Sequence, residues 1–455
     1  MDQIFPEFLN NIRKKELIKD IDTVILGFSG GKDSTALLIL LNELKKEIKF
    51  NLIAAYLNHN IRTDFKEEET YVKNFCRKLK IQLVTENQDV PSISAKNKIN
   101  LESAASITRY DFLNRVSKNY DRSIIATAHS KSDLTETFIM KLLRGTGSLG
   151  LSSIFEQKNS NIIRPLLFFS EEDILSFLDR NRIKYYKDSS NDNTDFLRNR
   201  IRKTIIPKLK DIEPKLEDHI LITSGILRTE NNYFKEKSEI VLKNSIQLNV
   251  ILPASAVLNE HPAIQNHILR EYIRIIKGNL FNITFNHIDA FKRRIVGEGG
   301  ISLPGIKLMI KKGFIYPSDI EISDYEYFVK GAEKLNIPEI GKSLIFSESD
   351  SFKRVADKKS ATFSLRDISF PLIIRSPQKE DRYKKINSKF FQPVFEMIKE
   401  SGLPEELVKL APLVTDVNGK PLWVAGSHIS DEFKISERKK REKLFKVEIS
   451  ELFRI

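Results

Sequence analysis

Residues 29–34, Ser29-Gly30-Gly31-Lys32-Asp33-Ser34, carry the strongest chemical signal in the chain. Two adjacent glycines let the backbone turn tightly and present its N–H groups, and a helix starting there adds the positive end of its dipole. Such a turn binds anions, phosphates above all, and Lys32 adds a point charge. The pattern departs from a Walker loop. The spacing from Gly27 to Gly31 is one residue short, and Asp33 stands where a Ser or Thr hydroxyl would meet magnesium. Transfer of a γ-phosphate is therefore disfavoured, whereas a carboxylate there suits a magnesium ion bridging phosphates, because hard cations prefer carboxylate oxygen.

Further polar groups could act with this loop. Asn58-His59 follows one apolar run, and His129 with Asp133 and Glu136 follows another. Asp133 and Glu136 share one helical face; they also fit a cap with Asp133 first and Glu136 third. Arg198, Arg200 and Arg202 alternate, which spreads them over more than one face. Some are expected to meet phosphate, and one to pair with Asp188 or Asp192.

The elements that must position these residues are legible as periodicity. TVILGF, NLIAAYL, IQLV and SIIATA read as strands, and helical patterns lie between them near 34–46, 66–80 and 101–118. The alternation predicts a parallel sheet covered on both faces, with ligands outside the carboxyl ends of its strands. Continuously apolar strands fit double cover. The glycine loop, Asn58-His59 and the His129 segment all fall on that one edge. The expected fold class is α/β: an N-terminal doubly wound, mostly parallel, Rossmann-like sheet, then a mainly helical domain and a small α+β C-terminal domain. The expected boundaries are 1–215 for the nucleotide-binding catalytic domain, 216–320 for the helical one, 321–369 for a connection and 370–455 for the last. Asn418-Gly419 predicts a hairpin there.

Composition sets limits on function. The chain has 455 residues with 74 Lys plus Arg against 61 Asp plus Glu, a net charge of +13 that favours a polyanionic partner such as nucleic acid. Its one cysteine, Cys76, excludes an internal disulfide framework, a Cys-x-x-Cys redox pair and a cysteine-rich metal site; Val72, Phe75, Cys76 and Leu79 share a helical face, so it reads as core. No 18-residue apolar run appears and the start has no secretory pattern, so a cytoplasmic protein without membrane contact is expected.

SGGKDS after a first strand resembles the signature of the N-type ATP pyrophosphatases, the PP-loop superfamily, whose loop grips pyrophosphate while the α-phosphorus is attacked. LNHNIR, ESAASITRYDFL, AHSKSDLTETFIMKLLRGTG, IIRPLL, DSSNDNTDFLRNRIRKTIIPKL and the C-terminal DRYKKINSKFFQPVFEMIKESGLPEELVKLAPLVTDVNGKPLWVAG narrow this: in order and across most of the chain, they resemble the tRNA(Ile)-lysidine synthetase family. The resemblance implies that ATP and Mg2+ serve to adenylate the wobble cytidine of tRNA(Ile) with a CAU anticodon, and that L-lysine then replaces AMP. The first, second and last domains become a PP-loop domain, a tRNA-binding domain and a tRNA-recognition domain; a homodimer is left open. The implied catalytic residues are Asp33, His129 and Lys32. ATP falls to Ser29, Gly30, Gly31, Lys32, Asp33, Ser34, Asn58 and His59, lysine and metal to Asp133 and Glu136, and Mg2+ to Asp33 and Asp133. Arg109, Arg144, Arg198, Arg200 and Arg202 take tRNA or phosphate. Many relatives carry a second His and a second Asp where this chain has Ser130 and Ser132. The mixed-charge run ERKKREK at 437–443 could bind tRNA backbone or be a solvated segment.

Three rival readings stand beside this one. A tRNA thiolase would need catalytic cysteine, against a single Cys76 read as buried. A small-molecule amidating enzyme, such as a GMP or NAD synthetase, would need neither the +13 charge nor the appended domains. A tRNA-binding scaffold with a vestigial nucleotide site could have lost Asp33 or the glycines, which are intact.

Overall fold

The computed structural model describes residues 4–60, 65–152, 154, 157–158, 161–186, 197–248, 250–349, 359–385, 388–426, 429–435 and 443–450. It divides into two compact units, Met1–Asn232 and Tyr233–Ile455.

The first unit is built on a six-stranded sheet. Its elements in chain order are α1 (Ile4–Lys14), β1 (Thr23–Gly27), α2 (Lys32–Leu44), β2 (Asn51–Asn58), α3 (Phe65–Leu79), β3 (Gln82–Asn87), α4 (Val90–Asn97), α5 (Leu101–Ser117), β4 (Ser123–Ala126), α6 (Lys131–Leu143), α7 (Ser148–Leu151), β5 (Gln157–Lys158), β6 (Ile162–Ile163) and α8 (Glu171–Arg180). The helical run α9 (Leu197–Arg200), a π-turn (Ile201–Ile205) and α10 (Ile206–Ile212) follows, and then α11 (Leu216–Ser245) begins. Strand order is β3-β2-β1-β4-β6-β5, with every pairing parallel except β5 with β6. The order reverses direction between β1 and β4, so the crevice outside their carboxyl ends is the expected ligand place.

Strands β1, β2 and β4 are almost wholly apolar because alternate side chains feed two separate cores, whereas the edge strand β3 is polar and only partly covered. Val24 and Leu26 of β1, Leu52, Ala54 and Tyr56 of β2 and Ile124 and Ala126 of β4 join the cluster that includes Leu37, Leu41, Val72, Cys76 and Leu178. Ile25, Ile53, Ala55, Leu57 and Ile125 point the other way, onto Phe112, Leu113 and Val116 of α5. Burying each such side chain contributes about 1.5–3 kcal/mol, and a one-residue slip of register would exchange the two sets. The runs read at β1, β2 and β4 are therefore doubly covered strands, as expected, while the run IQLV leads into the edge strand β3, which is not.

The second unit is mainly antiparallel. Helices Pro262–Lys277 and Phe285–Ile295 pack with a sheet ordered Leu252–Pro253, Phe314–Pro317, Ile306–Lys311, Gly299–Leu303. Two more four-stranded sheets, a two-stranded ribbon and the helix Val394–Glu400 are among its other elements. Residues 326–364 contribute Glu326–Val329, Lys334–Ile337, Lys342–Ser349 and Ser360–Ser364, strands that pair with others from as far along as Leu444–Ile449. The expected hairpin forms between Leu413–Thr415 and Pro421–Val424, with Gly419 at φ +77°. Among the described residues no helix is long and apolar enough to cross a membrane. Asp188, Asp192 and nearly all of the run 437–443 lie outside the described residues.

Candidate active site

The loop after β1 is shaped by backbone. Gly30 sits at φ +76°, and a Cβ there would lie 3.1 Å from Tyr71 Cδ1 and 3.2 Å from Val72 Cγ2, so glycine is required twice over. Its carbonyl accepts from Tyr186 N (2.9 Å) and Thr35 Oγ1 (3.0 Å), which fixes the turn. Gly31 is the N-cap of α2 and no side chain caps that helix. The first-turn N–H groups of α2 are thus left for a ligand, and a generic turn capped by Ser or Asp is set aside. Ser34 Oγ instead donates to Gly31 O (3.1 Å) and lies 3.2 Å from Ser29 Oγ.

Lys32 Nζ lies 3.0 Å from Asp33 Oδ2 and 3.2 Å from Oε1 of Glu171, the first residue of α8. Burial works to lower the Lys32 pKa, but Asp33 and Glu171 outweigh it and the net shift is upward. Burial raises the Asp33 carboxyl, opposed by Lys32 and reinforced by the charge of Asp133. At the end of β2, Asn58 Oδ1 accepts from Asn60 N (2.9 Å), while its buried Nδ2 has no hydrogen-bond partner among the described residues. Such an orphan is costly unless a ligand or water completes it. His59 is half-buried beside it.

The segment after β4 presents a second cluster. His129 Nδ1 lies 3.0 Å from Thr127 Oγ1. Burial pushes its pKa down to about 4 against the upward pull of Asp133, with Arg164, Arg198 and Arg109 adding to the fall. The imidazole is neutral near pH 7. Ser130 caps α6, and Asp133 completes the box by accepting from Ser130 N (2.9 Å). The cap therefore lies one turn earlier than a reading with Asp133 first, because α6 already begins at Lys131 and Asp133 falls at its third position. Burial tends to raise the Asp133 pKa, but Arg198 and His129 prevail and hold it below the usual carboxylate range.

Arg198 and Arg202 come to these carboxylates. Arg198 donates through Nε to Glu136 Oε2 (2.6 Å) and through Nη2 to Asp133 Oδ1 (2.6 Å). Arg202 donates through Nε to Glu136 Oε1 and through Nη2 to Oε2 (3.1 Å). Glu136 is only 1% exposed, so its charge requires these partners. The π-turn begins between the two arginines and keeps residues four apart on one side, whereas Arg200 between them is exposed. Sequence spacing alone spread the three over several faces; the structure separates them by role. Arg109 is close enough to lower the pKa of His129, but Arg144 closes the far end of α6, about 16 Å along the helix from Asp133, and is exposed.

The sequence reading passed over Glu171, Thr127 and Arg164. Glu171 lies in a stretch read only as a helix start, and Arg164 is a buried arginine inside the IIRPLL segment. Cys76 is buried and its thiol is pushed up to about 11, so it is a packing group rather than a nucleophile.

The residues fit a nucleotide with magnesium. An uncapped helix start, a glycine turn closed against Tyr71, and an orphaned Asn58 amide suit a polyphosphate and its nucleoside. Among the described residues no group of three or more His, Cys, Asp or Glu could hold a metal alone. Magnesium needs no such cage, since one or two carboxylates plus substrate phosphates suffice.

A family model described as a PP-loop domain matches residues 2–209. The tRNA(Ile)-lysidine synthase of Persephonella marina is 30% identical over 97% of this chain and 99% of its own length. That of Clostridium tetani is 30% identical over 97% of each. Among solved structures, a U34-tRNA thiolase from Methanococcus maripaludis is 24% identical over 49% of this chain and 78% of its own, with a TM-score of 0.43.

Proposed function

Because this chain belongs to the tRNA(Ile)-lysidine synthase family, we infer that it joins free lysine to carbon 2 of the wobble cytidine of a tRNA(Ile) with a CAU anticodon, at the expense of ATP. The carbonyl oxygen of the base attacks the α-phosphorus and displaces pyrophosphate. The ε-amine of lysine then attacks carbon 2 and AMP leaves, so that the tRNA reads AUA rather than AUG. Thirty per cent identity to a relative of that name over 97% of this chain, together with an uncapped phosphate loop at the sheet's switch point, carries the reading.

The chain's own residues suit these steps. The first-turn N–H groups of α2 and the ammonium of Lys32 hold the departing pyrophosphate, where charge builds up as the bond breaks. Asp33 and Asp133 would hold Mg2+, which would neutralise phosphate charge. Asn58 and His59 face the nucleoside. Glu136, almost wholly buried, acts through Arg198 and Arg202, so the lysine ammonium meets Asp133 first. His129, with Nδ1 on Thr127, keeps Nε2 as a neutral acceptor for the proton that the amine loses. Arg200 and Arg144, exposed and unclaimed by the centre, are left for tRNA phosphate.

Mass spectrometry of tRNA(Ile) incubated with ATP and isotopically labelled lysine tests the inference. The expected result is incorporation of labelled lysine at the wobble cytidine only when ATP is present. Sulfur incorporation, or ATP cleavage indifferent to lysine, would point to a thiolase instead.

A further inference from the structure

Three helix starts converge on the phosphate loop. Lys32 opens α2, Ser130 caps α6 and Ser170 caps α8. Lys131 N donates to Phe169 O (3.0 Å), and Glu171 N donates to Ser132 Oγ (3.3 Å), so α6 fixes where α8 begins. Helices α2 and α8 pack against each other. Glu171 is consequently held with its carboxylate 3.2 Å from Lys32 Nζ, while Asp33 lies 3.0 Å from the same atom. The loop lysine is shared between two acids. Asp33 in turn feels the charge of both Glu171 and Asp133.

A polyphosphate that arrives alone meets an ammonium already paired twice and carboxylates that repel it. A divalent cation removes that repulsion and lets Lys32 change partners. We propose that Glu171 is a positioning residue for Lys32, holding it at the loop mouth and making nucleotide binding depend on an accompanying divalent cation. The proposal rests on the reading that this loop binds ATP. It gives position 171 a role through the lysine, by charge rather than by contact with the reacting atoms.

Calorimetric titration of the full chain with ATP, in EDTA and at saturating magnesium, tests it. Glu171→Gln is expected to bind metal-free ATP about fivefold tighter than the parent, the scale of one half-exposed ion pair, and to lose a similar factor from the magnesium enhancement. Glu172→Gln serves as control, because Glu172 lies 3.3 Å from Lys210 and makes no contact with Lys32 among the described residues. It should match the parent in both conditions. Circular dichroism confirms that each variant is folded. If Glu171→Gln matches the parent, or if Glu172→Gln shifts equally, the proposal is overturned. If the parent itself binds no ATP in either condition, the nucleotide reading fails instead.

Discussion

The phosphate loop and the arginine–carboxylate cluster lie in one unit and are built in opposite ways. The loop takes its form mainly from adjacent residues, Gly30 at positive φ, Gly31 as cap and Ser34 folded back on Gly31, with one distant bond from Tyr186 N to Gly30 O. The cluster joins residues 62 to 66 positions apart, Arg198 and Arg202 with Glu136. A local motif can be read from its own letters. A buried charge cluster is specified only when the fold delivers its partners, and it penalises the loss of any one of them. The loop should therefore be sensitive in chemistry and the cluster in stability.

The largest expected effect falls on the loop. Asp33→Ala should lower adenylation at least ~1,000-fold, on the scale of removing a charge-stabilising group, while tRNA affinity stays within about twofold. Single-turnover kinetics with filter binding would check this, and substantial residual turnover would remove Asp33 from the chemistry. In the cluster, Glu136→Ala should destabilise the first unit by about 3–5 kcal/mol, because two guanidinium groups lose their buried partner. Urea unfolding would measure it. A loss below about 1 kcal/mol would show that the arginines find other partners. Gly30→Ala should cost about 1–2 kcal/mol from the left-handed backbone, before counting the close approach to Tyr71.

The contrast also has a pH signature. His129 titrates near 4 when folded, below the 6.5 of an unperturbed histidine. The unfolded chain therefore binds this proton between those values and the folded chain does not. Stability contributed here is complete above pH 6.5 and declines as pH falls toward 4. His129→Gln should flatten that part of the stability curve, as read by thermal unfolding across the window. The smallest effect is expected at Arg200, exposed on the same helical run: Arg200→Ala should leave stability unchanged within about 0.5 kcal/mol and reduce the salt slope of tRNA binding by about one. An unchanged slope would take Arg200 out of the interface.

The same contrast explains what the sequence made legible. The strands β1, β2 and β4 were visible because both of their faces are buried, and the start of α8 because Ser170 and Asp173 form a capping box. The edge holding Ser29–Ser34, Asn58-His59 and His129 followed from strand order and direction. The pairing of Arg198 and Arg202 with Glu136 did not, since nothing within a few residues of either arginine marks it. The π-turn that begins between them has no sequence signal of its own. Glu171 sits inside that capping box, between Ser170 and Asp173, but its approach to Lys32 depends on the packing of α2 against α8. Among the strands between 326 and 364, Lys342–Ser349 and Ser360–Ser364 pair with Leu444–Ile449, a partner that local periodicity cannot show.

Product analysis with ATP labelled at the α and γ positions tests most directly whether this loop holds a leaving pyrophosphate. With tRNA(Ile) and lysine present, labelled AMP and pyrophosphate should appear in equal amounts. ADP with free phosphate would mean cleavage at the outer bond and would contradict the role given to residues 29–34.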